Sequence, residues 1–270
     1  MRTLDRKLSQ LRKLVRSFES AAVAFSGGTD STLVARISKD ELGTKAMAVT
    51  IDSPLYPRSE LANAKAVAKK IGMRYLVVRV DPLIDKAFVA NPTDRCYLCK
   101  LDDLRHIRRI ADERGLKEVL DGSNADDKKD YRPGMKAKEE MNVRSPLAAI
   151  GLTKADVREM SRALGLPTAQ KSSSPCLASR IPYNETITSE KLMMIEEAEE
   201  FLKAKGFDDV RVRMHGDMAR IEVSPRDIGR LSSPGTRVSV AKRLRALGFT
   251  YVTLDLEGYR MGSLNEVLLR

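Results

Sequence analysis

The chain has 270 residues, 42 % of them hydrophobic, enough for one large packed domain or one domain plus a small one. No apolar run reaches the roughly 18 residues that a membrane span needs, and Met1–Gln10 is charged, so neither a membrane partner nor a secretory leader is expected. The net charge of +11 points to anionic partners, nucleotides or nucleic acid, and an odd set of three cysteines argues against a disulfide framework and for a reducing, cytoplasmic location.

Leu4, Leu8, Leu11, Leu14, Val15 and Phe18 recur at helical spacing over residues 3–18. Residues 21–25 then form an apolar run that reads as a short buried strand. Ser26, Gly27 and Gly28 turn the chain sharply, and Asp30 and Ser31 open a helix ending near Ile37. A strand, a glycine turn and a helix N-terminus make an anion site, because the first N–H groups and the helix dipole face whatever occupies the turn. The Gly-Lys-Ser/Thr ending of a Walker loop is absent. Residues 45–51 read as a second strand closing on Asp52, residues 57–71 as a helix and residues 75–80 as a third strand. Strands alternating with helices predict an α/β fold with a doubly wound, mostly parallel sheet. Ligands in such sheets lie beyond the carboxyl ends of the strands, which brings Ile51 and Asp52 to the same end as the glycine turn.

Residues 91–100 read as a loop leading into a helix over 101–114, and residues 117–120 as a fourth strand closed by Asp121 and Gly122. The stretch from Ser123 to Gly134 is polar and aperiodic and reads as a functional loop. A short strand is expected over 143–147, a helix capped by Thr153 over 153–164, and irregular chain over 167–182. Composition shifts near Tyr183–Thr186, dividing the chain into residues 1–183 and a smaller α+β domain, 184–270. That domain holds a charged helix over 189–205, a hairpin of residues 210–214 and 219–223, helices over 225–231 and 237–247, and a last strand at 251–254.

Three kinds of side chain can carry chemistry. Cys96 and Cys99 form a Cys-x-x-Cys pair, with Cys176 far along the chain. On spacing alone they are ligands of one metal or iron–sulfur cluster, a redox pair with a separate thiol, or unrelated buried residues. Arg95, Lys100 and Arg180 lie close by in sequence and favour thiolate. Asp30, in the glycine turn, suits a phosphate-bridging magnesium, and Asp126, Asp127 and Asp130 either share that work or form a solvated acidic loop. In the hairpin, Arg211 and Arg213 share one face, either a phosphate-binding face or a solvated one.

The turn Ser26-Gly-Gly-Thr-Asp-Ser31 resembles the phosphate loop of the N-type ATP pyrophosphatases, the PP-loop family, whose adenine nucleotide alpha hydrolase-like fold is α/β and which split ATP into AMP and pyrophosphate. Ser123–Gly134, Ser174–Tyr183, Val210–Val223 and Gly258–Asn265 are similar to stretches of the LarE-type ATP-dependent sulfur transferases of that family. The resemblance covers nearly the whole chain. It implies adenylylation of a carboxylate of pyridinium-3,5-biscarboxylic acid mononucleotide, then displacement of AMP by sulfur to leave a thiocarboxylate, a step in making the nickel-pincer nucleotide. It places ATP on Ser26, Gly27, Gly28, Asp30 and Ser31, with Ile51, Asp52 and Gly122 alongside, and the small substrate's anionic groups at Arg180, Arg211 and Arg213. Asp30 and Cys176 become the catalytic residues, with Mg2+ on Asp30, Asp126 and Asp127. In one branch a single cysteine matching Cys176 gives up its own sulfur; in the other, three cysteines hold a 4Fe-4S cluster that delivers sulfide from an external sulfide source. Cys96, Cys99 and Cys176 match the second pattern. A homo-oligomer is expected, with no nucleic-acid partner. A cluster-dependent tRNA thiolase is the alternative, favoured by the charge but not by an aromatic content of 5 %. An ammonia-using ligase related to NAD synthetase would share the loop but would not need the cysteines.

Overall fold

The computed structural model describes residues 3–129, 134–172, 174–260 and 262–264. Asp130, the remaining metal candidate of the polar loop, lies outside the described residues, as do Tyr131, Arg132, Pro133, Met261 and Asn265 of the family-like stretches. The chain divides into two compact units: Met1–Pro82 with Asp94–Ser174, and Leu83–Thr93 with Pro175–Arg270. The change of composition near residue 183 falls inside the second unit.

In the first unit, β1 (Ala21–Ala24), β2 (Ala46–Asp52), β3 (Tyr75–Arg79) and β4 (Glu118–Leu120) form a parallel sheet in the order β3-β2-β1-β4. Residues of successive strand positions enter two separate cores. Ala21, Val23, Phe25, Ala46 and Ala48 pack with Leu11, Leu33, Ile37 and Val67 from helices Thr3–Arg16, Thr29–Leu42 and Arg58–Ile71. Ala22, Met47, Val49 and Val119 pack on the opposite face with Ile107 and Ala111 of helix Arg95–Glu113. The period-two alternation of a pleated strand, with both faces covered, explains the continuous apolar reading of β1 and makes the sheet doubly wound. Small alanines in β1 and β2 let the helices lie close.

Three elements depart from the sequence reading. Helix Arg95–Glu113 begins at Arg95, so Cys96 and Cys99 stand in its opening turns and not in a polar loop. The helix after the glycine turn runs on to Leu42, where Gly43 takes φ 58°. In place of a strand over 143–147 there is a single parallel bridge, Leu120 to Arg144, after which Pro146 opens the short helix Pro146–Ala149. Proline cannot donate to a ladder but suits a helix start. Thr153 caps helix Lys154–Ala163 in a reciprocal capping box with Asp156.

The second unit carries a mixed sheet, β5-β6-β7. Strands β5 (Arg211–His215) and β6 (Met218–Glu222) are antiparallel, and β7 (Tyr251–Leu254) joins β6 in parallel. Gly216 opens the two-residue turn between β5 and β6 with φ 57°, the positive angle that hairpin turns require there. Leu83–Thr93 belongs to this unit through Asn91, which is fully buried and whose Nδ2 donates to the carbonyls of Pro182 (2.7 Å) and Glu185 (3.0 Å).

Candidate active site

The glycine turn leaves the carboxyl end of β1. Gly27 has φ 67°, and a Cβ there would lie 2.7 Å from the Cα of Ala64, so both backbone angle and space demand glycine. Gly28 occupies the cap position of helix Thr29–Leu42 and offers no side-chain acceptor to its opening N–H groups, which suits an anion there. The hydroxyls of Ser26 and Ser31 meet at 3.1 Å; that of Ser31 donates to the carbonyl of Gly28, and the N–H of Gly28 donates to Ser26 Oγ, both at 3.3 Å. Gly122 closes the other side: a Cβ on it would stand 2.7 Å from the nitrogen of Ser31. Its neighbour Asp121 is pinned by the hydroxyls of Ser123 and Ser145, each at 2.6 Å. Burial pushes the Asp121 carboxyl up, but Lys138 and those hydroxyls outweigh it and hold the pKa below the usual range. Ile51 and Asp52 end β2, and the Asp52 carboxylate pairs with Arg58 at 2.7 Å.

Asp30 is half-buried and fully engaged. Its Oδ1 accepts from Asn124 Nδ2 at 3.2 Å, and its Oδ2 accepts from Lys154 Nζ. Asp126 and Asp127 are spent on the backbone: Asp126 accepts the N–H of Lys154 at 2.8 Å, and Asp127 that of Asn124 at 3.0 Å. They therefore set the loop that places Asn124 and Lys154 against Asp30. On the other flank, Lys171 donates to Glu60 Oε2 at 2.5 Å and reaches the carbonyl of Gly27 at 3.5 Å. Thr29 Oγ1 donates to the carbonyl of Thr168 at 2.8 Å and ties that segment to the turn. The sequence reading did not single out Asn124, Lys154, Lys171 or Glu60 as site residues. Lys154 did carry a signal, since a cation at the first position of a helix opposes the dipole. Lys171 and Glu60 carried none, being joined only by the tertiary fold.

None of the three cysteines is in a disulfide; Cys96 is exposed, and Cys99 and Cys176 are half-buried. Cys96 and Cys99 are three residues apart in the opening turns of helix Arg95–Glu113, on one shared face. Asp103 follows one turn on, 4.0 Å from Cys99 Sγ, and burial raises its carboxyl to about 6. Among the described residues no three His, Cys, Asp or Glu side chains gather into a metal-holding group.

In the second unit, the arginines expected to meet the substrate's anions are buried, Arg180 at 1 %, Arg213 at 6 % and Arg211 at 8 % exposure, so the hairpin face of Arg211 and Arg213 is not a solvated one. Arg180 makes a bidentate pair with Glu199 (2.8 and 2.9 Å), and its Nη1 donates to the carbonyls of Pro175 and Cys176. Arg213 makes the same fork with Glu222 (2.8 and 3.0 Å) and donates to the carbonyl of Ser179. The two forks moor the segment 175–180 that bears Cys176. Arg211 donates to the carbonyl of Val210 and stacks 4.9 Å above the ring of Tyr259. Burial, then the nearby Arg180, lowers its pKa.

A glycine turn that lacks the Walker lysine, follows the central strand of a parallel sheet and opens an uncapped helix defines a nucleotide-binding domain of the PP-loop class. The NAD synthase family matches residues 4–104, the segment holding that turn. An uncharacterized protein of Synechocystis is 42 % identical over 267 residues, 99 % of this chain and 100 % of that relative. The pyridinium-3,5-bisthiocarboxylic acid mononucleotide synthase of Lactiplantibacillus plantarum is 38 % identical over 271 residues, 100 % of this chain and 98 % of that enzyme. An uncharacterized protein of Methanocaldococcus jannaschii is 33 % identical over 238 residues, 88 % of this chain and 90 % of that relative. The chain belongs to the LarE-type family of PP-loop proteins. No described helix is long and apolar enough to cross a membrane.

Proposed function

We propose that the protein is an ATP-dependent sulfur transferase that converts a carboxylate of pyridinium-3,5-biscarboxylic acid mononucleotide into a thiocarboxylate. The observation that carries this reading is similarity at 38 % identity along the whole chain to an enzyme named for the bisthiocarboxylic acid product. A carboxylate is a poor acyl donor. In the proposed reaction its oxygen attacks the α-phosphorus of ATP, pyrophosphate leaves, and a sulfur nucleophile then displaces AMP from the acyl carbon. The N–H groups at the start of helix Thr29–Leu42 meet the charge that develops on the leaving pyrophosphate. Asp30 is the carboxylate we assign to Mg2+, which would neutralise phosphate charge. Gly122 lets β4 approach the turn closely enough to shape the nucleotide pocket.

Cys96, Cys99 and Cys176 are the residues we assign to a 4Fe-4S cluster, which when bound would supply an exchangeable sulfide on an iron without a protein ligand. What supports it is the match of the three cysteines to the cluster-bearing pattern; the Arg–Glu forks fix only the backbone around Cys176. Arg211, beside Tyr259, is the guanidinium we assign to the substrate's anionic groups.

The test is a reaction of anaerobically purified protein with ATP, Mg2+, sulfide and the biscarboxylate mononucleotide, read by mass spectrometry. The expected product carries sulfur in place of oxygen, over several turnovers per protein. Thiolated tRNA under the same conditions, with the mononucleotide untouched, would transfer the assignment to the tRNA thiolases. A single turnover with Cys176 converted to dehydroalanine would replace the cluster by the sacrificial route.

A further inference from the structure

One ammonium group near the carboxyl end of β4 is held in place and left unspent. Lys100 stands in the opening turns of helix Arg95–Glu113, directly after Cys99. It is half-buried, and its stem lies against Gly134, where a Cβ would meet the Cβ and Cγ of Lys100 at 3.5 Å. Its charge acts on Asp121 and on Asp103. Yet among the described residues its ammonium has neither an ion pair nor a hydrogen bond. Both carboxyl groups are supplied from elsewhere. Asp121 accepts from the hydroxyls of Ser123 and Ser145, each at 2.6 Å, and pairs with the buried Lys138 at 3.3 Å. Asp103 accepts from the hydroxyl of Tyr56 at 3.4 Å. Gly122, the neighbour of Asp121, lies against the backbone of Ser31, so Lys100 is within charge reach of the strand end that borders the nucleotide turn. A half-buried cation that its neighbours do not use is suited to an anion that arrives.

We infer that Lys100 is the substrate-binding residue that receives the carboxylate to be activated. The inference rests on the proposed function. One carboxylate oxygen accepts from the ammonium, and the other is left to attack the α-phosphorus, so the cation orients the nucleophile without occupying the oxygen that reacts. The held oxygen then becomes the carbonyl oxygen of the acyl adenylate. When sulfur adds to the acyl carbon, negative charge returns to that oxygen, and the same ammonium meets it. Lys138 keeps Asp121 neutralised, so Asp121 does not compete with the substrate for Lys100.

The test pairs a change in the protein with a change in the ligand. The full chain is titrated calorimetrically with pyridinium-3-carboxylic acid mononucleotide, with its 3-carboxamide counterpart and with MgATP. In Lys100→Met the carboxylate should bind about tenfold more weakly, with the carboxamide and MgATP much less affected, and Lys100→Arg should recover part of the loss. In the AMP-forming reaction, KM for the biscarboxylate mononucleotide should rise in step while KM for ATP holds. Equal weakening of carboxylate and carboxamide would make Lys100 structural and overturns the inference. Weakening of MgATP as large as that of the carboxylate would make it a phosphate residue and also overturns it. So does an unchanged affinity for the carboxylate in Lys100→Met, which leaves the proposed function standing. A wild-type chain that forms no AMP with the biscarboxylate mononucleotide overturns the proposed function itself, and the inference falls with it.

Discussion

Glu199→Ala removes the carboxylate that neutralises Arg180. In the wild type the pair is sealed from water, with both side chains 2 % exposed, and Glu199 Oε1 also accepts the N–H of Val212 at 3.1 Å. The variant leaves a guanidinium in the interior with its Nε and one Nη unpartnered, and a strand N–H without an acceptor. Breaking a buried pair by removing one partner costs about 3–5 kcal/mol. An orphaned buried N–H adds about 1–3 kcal/mol, not fully additive because relaxation and water entry relieve both. A net loss of about 4 kcal/mol is expected, detectable in urea unfolding by circular dichroism at 222 nm, since the chain has no tryptophan for fluorescence. Glu199→Gln keeps the acceptor for Val212 and should lose roughly half as much. Arg180 also holds the carbonyls of Pro175 and Cys176, so Cys176 should alkylate faster in Glu199→Ala, measured with Cys96 and Cys99 replaced by serine. A cost below about 1 kcal/mol together with unchanged alkylation would refute the claim that this pair moors the Cys176 segment.

Gly122→Ala sets a methyl group 2.7 Å from the nitrogen of Ser31, where the obstacle is backbone; a loss of about 1–3 kcal/mol and a larger proportional loss of ATP affinity are expected, and a neutral variant would show that the turn yields. Asp103 is protonated in the folded chain up to about pH 6, against 3.8 for the exposed group, because burial disfavours its charge. Its contribution to stability is full below pH 3.8 and is lost as the pH rises through 6, a decline of up to about 3 kcal/mol. Asp103→Asn in metal-free protein should lack that decline, and parallel stability curves from pH 4 to 7 would contradict it. Thr153→Ala removes one half of the capping box and should cost about 1 kcal/mol, checked by thermal unfolding.

The glycine turn was legible because strand, turn and helix are contiguous, and each local preference pointed the same way. The Thr153 cap and the hairpin around Gly216 were legible for the same reason. The opening of helix Arg95–Glu113 was not: Asn91, Pro92 and Asp94 read as loop, and the polar first turns hide a helix whose apolar stripe begins at Leu98. The arginines of β5 look like an exposed stripe in sequence because alternation records which residues share a face, not whether that face is covered. Arg213 is buried on Glu222 of the neighbouring strand and Arg211 against the ring of Tyr259, partners that alternation does not record. Lys171 stayed hidden because its partner, Glu60, lies more than a hundred positions away.

The central claim is that this chain activates a carboxylate by attack on the α-phosphorus of ATP and then exchanges the activated oxygen for sulfur. The most direct measurement labels both oxygens of the substrate's carboxylates with 18O and analyses the nucleotide products by mass spectrometry. Attack at the α-phosphorus followed by displacement carries one labelled oxygen into AMP for each thiocarboxylate formed, with unlabelled pyrophosphate. Label in inorganic phosphate with ADP as the other product, or thiocarboxylate formed with unlabelled AMP, would contradict it.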